Sequence, residues 1–335
     1  MSDPILEYEA GQTQVAATAL AEQSDHKTFK SSAQLWSQRS GFAAAVMPNG
    51  VKSGLVVGVA ASGSNDVVDI SAGKCYLAGA EVEVDAAVDQ AIARPTVSNY
   101  QIYSITVNAA GAIAVVEGAE GTSFAAGRGE DGGPPWIPTT SIEIAQVKLS
   151  SQDAAAIAAS EIVQVDGDSR ERYNYPVWDV YPYVVEDGAI DYAKVVFASA
   201  LPQIHSDDAG SSSAAKKIYA SYSTPAFSQV QISKDFVPPE EGVSISSEEY
   251  YGKSVGKVTR TLNQGSFTAK LSGLTDPLYA LKGESLFFRF YPDRLEDEYI
   301  LCQGYLGVPP TFETDGGMLA NCVIAAELAA ERVVA

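Results

Sequence analysis

The stretch "ESLFFRFYPDRLEDEYILCQGYLG", residues 284–307, holds two apolar runs rich in aromatics around an acidic turn. Phe288 and Phe290 alternate with Arg289 and Tyr291, and Tyr299, Leu301 and Gln303 alternate with Ile300 and Cys302. Alternation of period two reads as strand, and "PDRLEDE" between the runs reads as a turn. Both faces of each run are partly apolar, so both are expected under cover rather than one in water. Such a hairpin belongs between layers of a β-rich fold, with Phe288, Phe290, Tyr291, Tyr299, Leu301 and Tyr305 as its wall residues. Asp293, Glu296, Asp297 and Glu298 in the turn read as spacing charges, not general acids.

Outward from this hairpin the second half of the chain is β-rich. Further strands are expected at 193–200, 216–223, 227–233, 257–263, 266–273 and 318–328. "TDPLYALKG" (275–283) reads as one short helix, with Pro277 at its first position and Gly283 as its stop. Two stretches read as long loops, 205–215 and "FVPPEEGVSISSEEYYGKSVG" (236–256). A loop of about 20 residues in a compact domain is normally functional or ordered by a partner.

The first half reads as a separate β-rich unit. Ala78-Gly79 and Ala110-Gly111 are expected hairpin turns, since glycine takes positive φ at little cost. In "SIEIAQVKL" (141–149) the apolar phase slips between Ile144 and Val147, the mark of a bulge. "GRGEDGGPPWIPTT" (127–140) is loop by composition. "SSQDAAAIAASEI" is expected as a short helix capped by Asp153. Residues 1–45 read as a polar arm that orders against something else, with a short helix possible around 25–42. The expected division is therefore 1–45 arm, 46–172 accessory domain and 173–335 main domain.

With 335 residues, 46% hydrophobic and 19% charged, the chain has the composition to bury more than one core. Its 22 basic and 42 acidic residues leave a net charge of −20, which argues against nucleic-acid or anionic-lipid binding through a cationic face. Cys75, Cys302 and Cys322 lack metal-type spacing and read as core residues. "MSDPILEYEAGQTQ" carries no cationic and apolar leader, and no run of about 20 apolar residues occurs, so no membrane insertion is expected.

Of the common catalytic patterns, H-E-x-x-H and the P-loop are missing. His205, Asp207 and Asp208 read as a solvated Ser/Gly-rich turn, and "DGDSRE" (166–171) lacks the twelfth-position acid of a calcium loop. Glu240/Glu241 and Glu248/Glu249 could be paired for glycoside hydrolysis but sit in a loop, as solvated faces do. Neither enzyme chemistry nor a cofactor is expected. "YNYPVWDVYPY" (173–183) offers Tyr175, Trp178, Tyr181 and Tyr183 as an interdomain or intersubunit packing strip, with a sugar-stacking surface as the alternative.

Residues from about 180 to 330 resemble the major tail tube protein of long-tailed bacteriophages. The resemblance lies in the order of parts: an acidic loop leading into "KVTRTLNQGSFTAKLSG", the short helix "DPLYALKG", the "FFRFYPD … EYILCQGYLGVPP" hairpin, and the final "TFETDGGMLANCVIAAEL". The glycine that often ends the family's last strand is replaced here by "AAELAAERVVA". The first half resembles, more distantly, β-rich segments of tail-fibre and baseplate proteins. The resemblance implies a tail-tube β-sandwich or barrel with one short helix, homohexameric rings stacked head-to-tail, and a place in the virion tail after assembly in the host cytoplasm. Implied partners are tape-measure, tail-terminator and baseplate or distal tail proteins, with DNA passing without sticking. In that setting Pro238, Pro239, Glu240, Glu241, Glu248, Glu249, Tyr250 and Tyr251 become an inter-ring contact loop. The alternative is a receptor-binding or baseplate attachment protein.

Overall fold

A computed structural model describes residues 3–39, 43–164, 170–173, 177–209, 218–251, 253–312 and 317–334. The fold is mainly β, and Pro277–Ala280 is the one α-helix among the described residues. Its centre is a ten-stranded antiparallel sheet. The main path runs Ser233–Val237, Gly265–Leu271, Met318–Ala326, Tyr299–Gly307, Ser285–Tyr291, Ile5–Ala19, Ile218–Gln229 and Ala45–Pro48.

The hairpin of residues 284–307 forms as its alternation requires, with Phe288 opposite Cys302 and Ser285 opposite Tyr305. Leu286, Phe288, Cys302 and Leu306 enter one core with Phe267, Cys322 and Ile324. Phe287 and Leu301 point to the other face, where Leu35, Ile190 and Val333 cover them. The sheet rolls up around the first core. Phe236 on its edge strand stacks on Phe290, four strands away, with ring centres 4.6 Å apart. The helix closes the roll with Leu278 and Leu281, and Asp276 caps it by accepting from the Leu278 N–H at 3.0 Å.

Ile5–Ala19 is the largest departure from the sequence-based expectation. The expected arm does order against something at residues 5–19, but that something is the chain's own central sheet: the strand lies between Ser285–Tyr291 and Ile218–Gln229. Leu6 and Tyr8 enter the rolled core, while Glu9 points to the opposite face and is fully buried. Its carboxylate accepts from the Ser37 hydroxyl and, at 3.2 Å, from the Phe287 N–H. Burial pushes the Glu9 carboxyl up, against the lowering pull of those two bonds and Arg39. No α-helix forms over 25–39, and the rest of the expected helix, 40–42, lies outside the described residues. Thr28–Lys30 is instead a strand paired with Lys194–Phe197, and Trp36 stacks on Tyr222 at 4.9 Å.

The two strands expected at 216–223 and 227–233 are one strand, Ile218–Gln229, running through Pro225. Proline fits because beyond Ser221 the strand has Ile5–Ala19 on one side only. "SSQDAAAIAASEI" is not an α-helix, and Asp153 caps nothing of the kind. Only Ala159–Glu161 makes a single 3-10 turn. Tertiary contacts overrule its propensity: Ile157 is drawn into a core, and the Ala155 carbonyl accepts from Asp66 N–H at 3.0 Å and Arg94 Nη2 at 2.9 Å.

Residues 51–162 build a core of their own from three small sheets. The bulge lies where the phase slip put it: Ile105 faces Ala145 and Thr106 faces Glu143, leaving Ile144 over. Ala78 (φ 54°) and Gly79 (φ 79°) form the expected primed turn. A Cβ at Gly79 would stand 2.9 Å from Ala17 Cβ and 3.1 Å from Tyr219, so the turn presses on the main sheet. This module is an insertion whose ends meet, for Val51 N–H donates to Glu171 O (2.7 Å) and Tyr173 N–H to Val51 O (3.1 Å).

Excising residues 51–172 through a short glycine linker is therefore expected to leave a β-rich, cooperatively unfolding body by circular dichroism, whereas removing residues 1–19 abolishes that transition. A second expectation concerns Glu9. A carboxylate raised on folding favours the folded state at low pH, and that contribution is lost as pH rises through its folded-state value. The difference in urea-unfolding free energy between Glu9→Gln and the native chain should accordingly move in favour of Glu9→Gln between pH 4 and pH 8.

Candidate functional site

Residues 236–256, expected as a loop, are largely a β-ribbon. Glu240–Tyr250 and Lys253–Asn263 pair from Glu240–Asn263 out to Tyr250–Lys253, and neither strand joins any other sheet. The misreading has a clear cause. Serines and glutamates interrupt the apolar alternation, yet "VSIS" facing "KVTRT" supplies β-branched residues at period two. At about 3.4 Å per residue, eleven-residue strands reach roughly 35 Å.

Cross-strand register gives the ribbon two unlike sides. Val243, Ile245 and Val258 share one side, with Glu241 and Arg260 nearby, while Ser244, Ser246, Thr259, Thr261 and Lys257 occupy the other. The apolar side is uncovered: Val243 is 60% exposed, Ile245 76% and Val258 58%. The root is firmly held. Pro239 is buried, its carbonyl accepts from Ala330 N–H at 2.7 Å, and Gln264 Oε1 accepts from Ala326 N–H at 2.6 Å.

The anticipated contact residues thus separate. Pro238 and Pro239 belong to the root, Glu240 and Glu241 begin the ribbon, Glu248, Glu249 and Tyr250 lie at the far end of its first strand, and Tyr251 is exposed in the turn. Val243, Ile245 and Val258 were missed as site residues, although their period-two spacing was present in the sequence.

Of the wall residues, Phe288 and Leu301 are buried, Phe290 stacks on Phe236, and Tyr291 meets Tyr299 at 5.1 Å. Tyr305 is half exposed and points away from the rolled core. The Arg289 guanidinium lies 3.8 Å over the Phe227 ring. In the acidic turn Asp293 accepts from Leu295 N–H at 3.0 Å, and Arg332 holds the Glu298 carboxyl below its ordinary range. The aromatic strip divides as well. Trp178 packs on Tyr173 and Phe197, and Tyr173 stacks on Tyr76 of the inserted module at 4.3 Å. Tyr183 meets Phe287, Tyr181 is exposed, and Tyr175 lies outside the described residues.

A buried polar seam joins the inserted module to the body, and the sequence-based reading missed it. Glu143, brought inward beside the bulge, accepts from Arg128 Nη2, the Ser104 hydroxyl and Gln146 Nε2. Burial pushes its carboxyl up, opposed by Arg128 and these hydrogen bonds. Its own N–H donates to Glu171 Oε2 at 3.1 Å. His205 is buried, not solvated as expected: Nε2 sits 2.9 Å from Ser141 O and 3.9 Å from Glu171 Oε2. Asp208 is buried too and accepts from the Ile204 and His205 N–H groups, both at 2.9 Å, while Asp207 stays exposed. Glu143, Glu171, His205 and Asp208 are each shut off from solvent, so the seam works as a clamp rather than a site that meets a substrate.

Burial also governs the thiols. Cys75 is pushed up to about 11, and Cys302 and Cys322 to about 12, so all three are protonated, unpaired core residues. Among the described residues no three His, Cys, Asp or Glu side chains stand together as a metal site. No described helix is long and apolar enough to cross a membrane. No family model, curated protein or solved structure matches the chain.

Removing one partner of a buried ion pair leaves the other charge uncompensated, at a cost of about 3–5 kcal/mol. Arg128→Ala is expected to lose stability on that scale in urea unfolding, and limited proteolysis should then release the 51–162 module first.

Proposed function

We propose that the protein is a structural subunit that binds copies of itself in rings stacked into a tube, the role its second half suggested by resemblance. The observation that carries this reading is the ribbon of Glu240–Tyr250 and Lys253–Asn263, rigid at its root and bare on its apolar side. A two-stranded ribbon is marginal in water by itself, so a sequence that keeps one, with three β-branched residues exposed, is suited to a partner. Covering Val243, Ile245 and Val258 contributes on the order of 1–2 kcal/mol each. A root-to-tip contact between copies is heterologous, the kind that closes rings or propagates filaments.

The net charge of −20 supports a conduit for DNA, because acidic side chains repel phosphates whereas a basic bore would retain them by counterion release. With the proposal go a place in the virion tail and the tape-measure, terminator and distal tail proteins as neighbours. The binding-module reading is less well supported, since Trp178 and Tyr183 are committed to packing within the chain.

Negative-stain electron microscopy of the purified chain is expected to show rings or rods with a regular axial repeat. Replacing 241–262 by a short Gly-Ser turn should keep the circular dichroism spectrum and leave a monomer in sedimentation velocity. A discrete, trimeric, glycan-binding particle would overturn the proposal.

A further inference from the structure

The rolled sheet has one face filled by its core and a second face only partly covered. Segments near Leu35, Ile190 and Val333 shelter the Phe287 and Leu301 end. Beyond them the same face stays open across the ends of Tyr299–Gly307, Met318–Ala326 and Gly265–Leu271. Tyr305 opposes Ala325, Val323 opposes Ser266, Asn321 opposes Thr268, and Val237 adjoins Ser266 from the edge strand. Val237 is 53% exposed and Val323 40%, and Leu328 just past the strand is also exposed. This row of Val, Ala, Ser, Thr, Asn and Tyr carries no acid in a chain with 42 acidic residues, and exposed Lys234, opposite Thr268, and Lys270 stand along it. Copies of a −20 chain repel at most approaches, and a face without acids is where they meet at least cost.

The ribbon is complementary to it. Its apolar side is Val243, Ile245 and Val258, and residues 242–247 with 256–262 hold Lys257 and Arg260 but no acid. At the rim of the open face stands exposed Glu327, beside Tyr305, Ala325 and Leu328 around a recess of about 130 Å³. We propose, resting on the self-assembly reading above, that Val243, Ile245 and Val258 of one copy seat on the open Val237–Val323–Tyr305 face of a second copy. Arg260 on that side then comes within reach of the acidic rim. Its present pairing with Glu241, at 3.7 Å between exposed side chains, is of the kind worth little and readily exchanged.

The test is directed cross-linking with mixed chains. Ile245→Cys and Val323→Cys are made in separately tagged proteins, the native cysteines being buried, then mixed and oxidised under assembly conditions. A disulfide joining the two tags is expected, whereas each variant alone gives at least tenfold less dimer. As an independent arm, Val323→Glu and Thr268→Glu should each abolish rods while retaining the native unfolding midpoint. Ile245→Lys should restore rods when mixed with Val323→Glu. Rods that form without the cross-link and survive both Glu substitutions overturn this contact while leaving the self-assembly reading intact. A native chain that stays monomeric overturns both.

Discussion

The structure depends on the strand Ile5–Ala19 taking the middle of a sheet whose other strands, Ala45–Pro48 apart, all come from residue 218 onward. Its apolar residues, Leu6 and Tyr8, account for burial on one face. On the other face stands Glu9, a carboxylate whose burial is tolerated because Ser37 and the Phe287 N–H satisfy it. Those bonds tie together the first strand, the 31–39 cover and the 284–307 hairpin. The rolled core and the covering layer both need that strand in that register, since a one-residue slip would put Glu9 into the roll and Tyr8 under the cover.

Around this centre the remaining parts are attached in distinct ways. The module of residues 51–162 has its own core and enters through one neighbouring pair of chain crossings. It is held against the body by the Gly79 turn, by Tyr76 on Tyr173, and by buried His205 lying against Ser141 O and Glu171, with the Arg128–Glu143 pair fixing the module's own side of that seam. Buried charges of this sort specify one docking geometry, because any other leaves them unpaired. The ribbon is attached oppositely, fixed at Pro239 and Gln264 and free beyond. One part is locked by polar contacts inside the chain, while the other keeps its apolar side for contacts outside it.

Acidity fits this division. The acidic residues are largely on surfaces and turns, whereas the open sheet face and the central ribbon lack them. Exposed like charges raise the cost of random association, so the acid-free patches stand out as the places where association is cheap.

Local rules settled much of the fold from the sequence. The alternation around Phe288 and Leu301, the Pro277 helix start, the Ala78-Gly79 turn and the Ile144 slip each depend on neighbours a few residues away, and each lies where the sequence places it. What the sequence left open was long-range. Nothing local tells that Ile5–Ala19 completes a sheet with residues 285–291, that the Ala-rich 151–163 segment surrenders its backbone to Asp66 and Arg94, or that His205 is buried against Ser141. The ribbon lies between these cases: its β-branched residues were legible, but its serines and glutamates look like a loop until two equal strands face each other. Spacing and turn chemistry thus determined the elements of this protein. Only the tertiary structure decided their partners, because burial and pairing are bought from residues distant in the chain and leave no periodic trace in it.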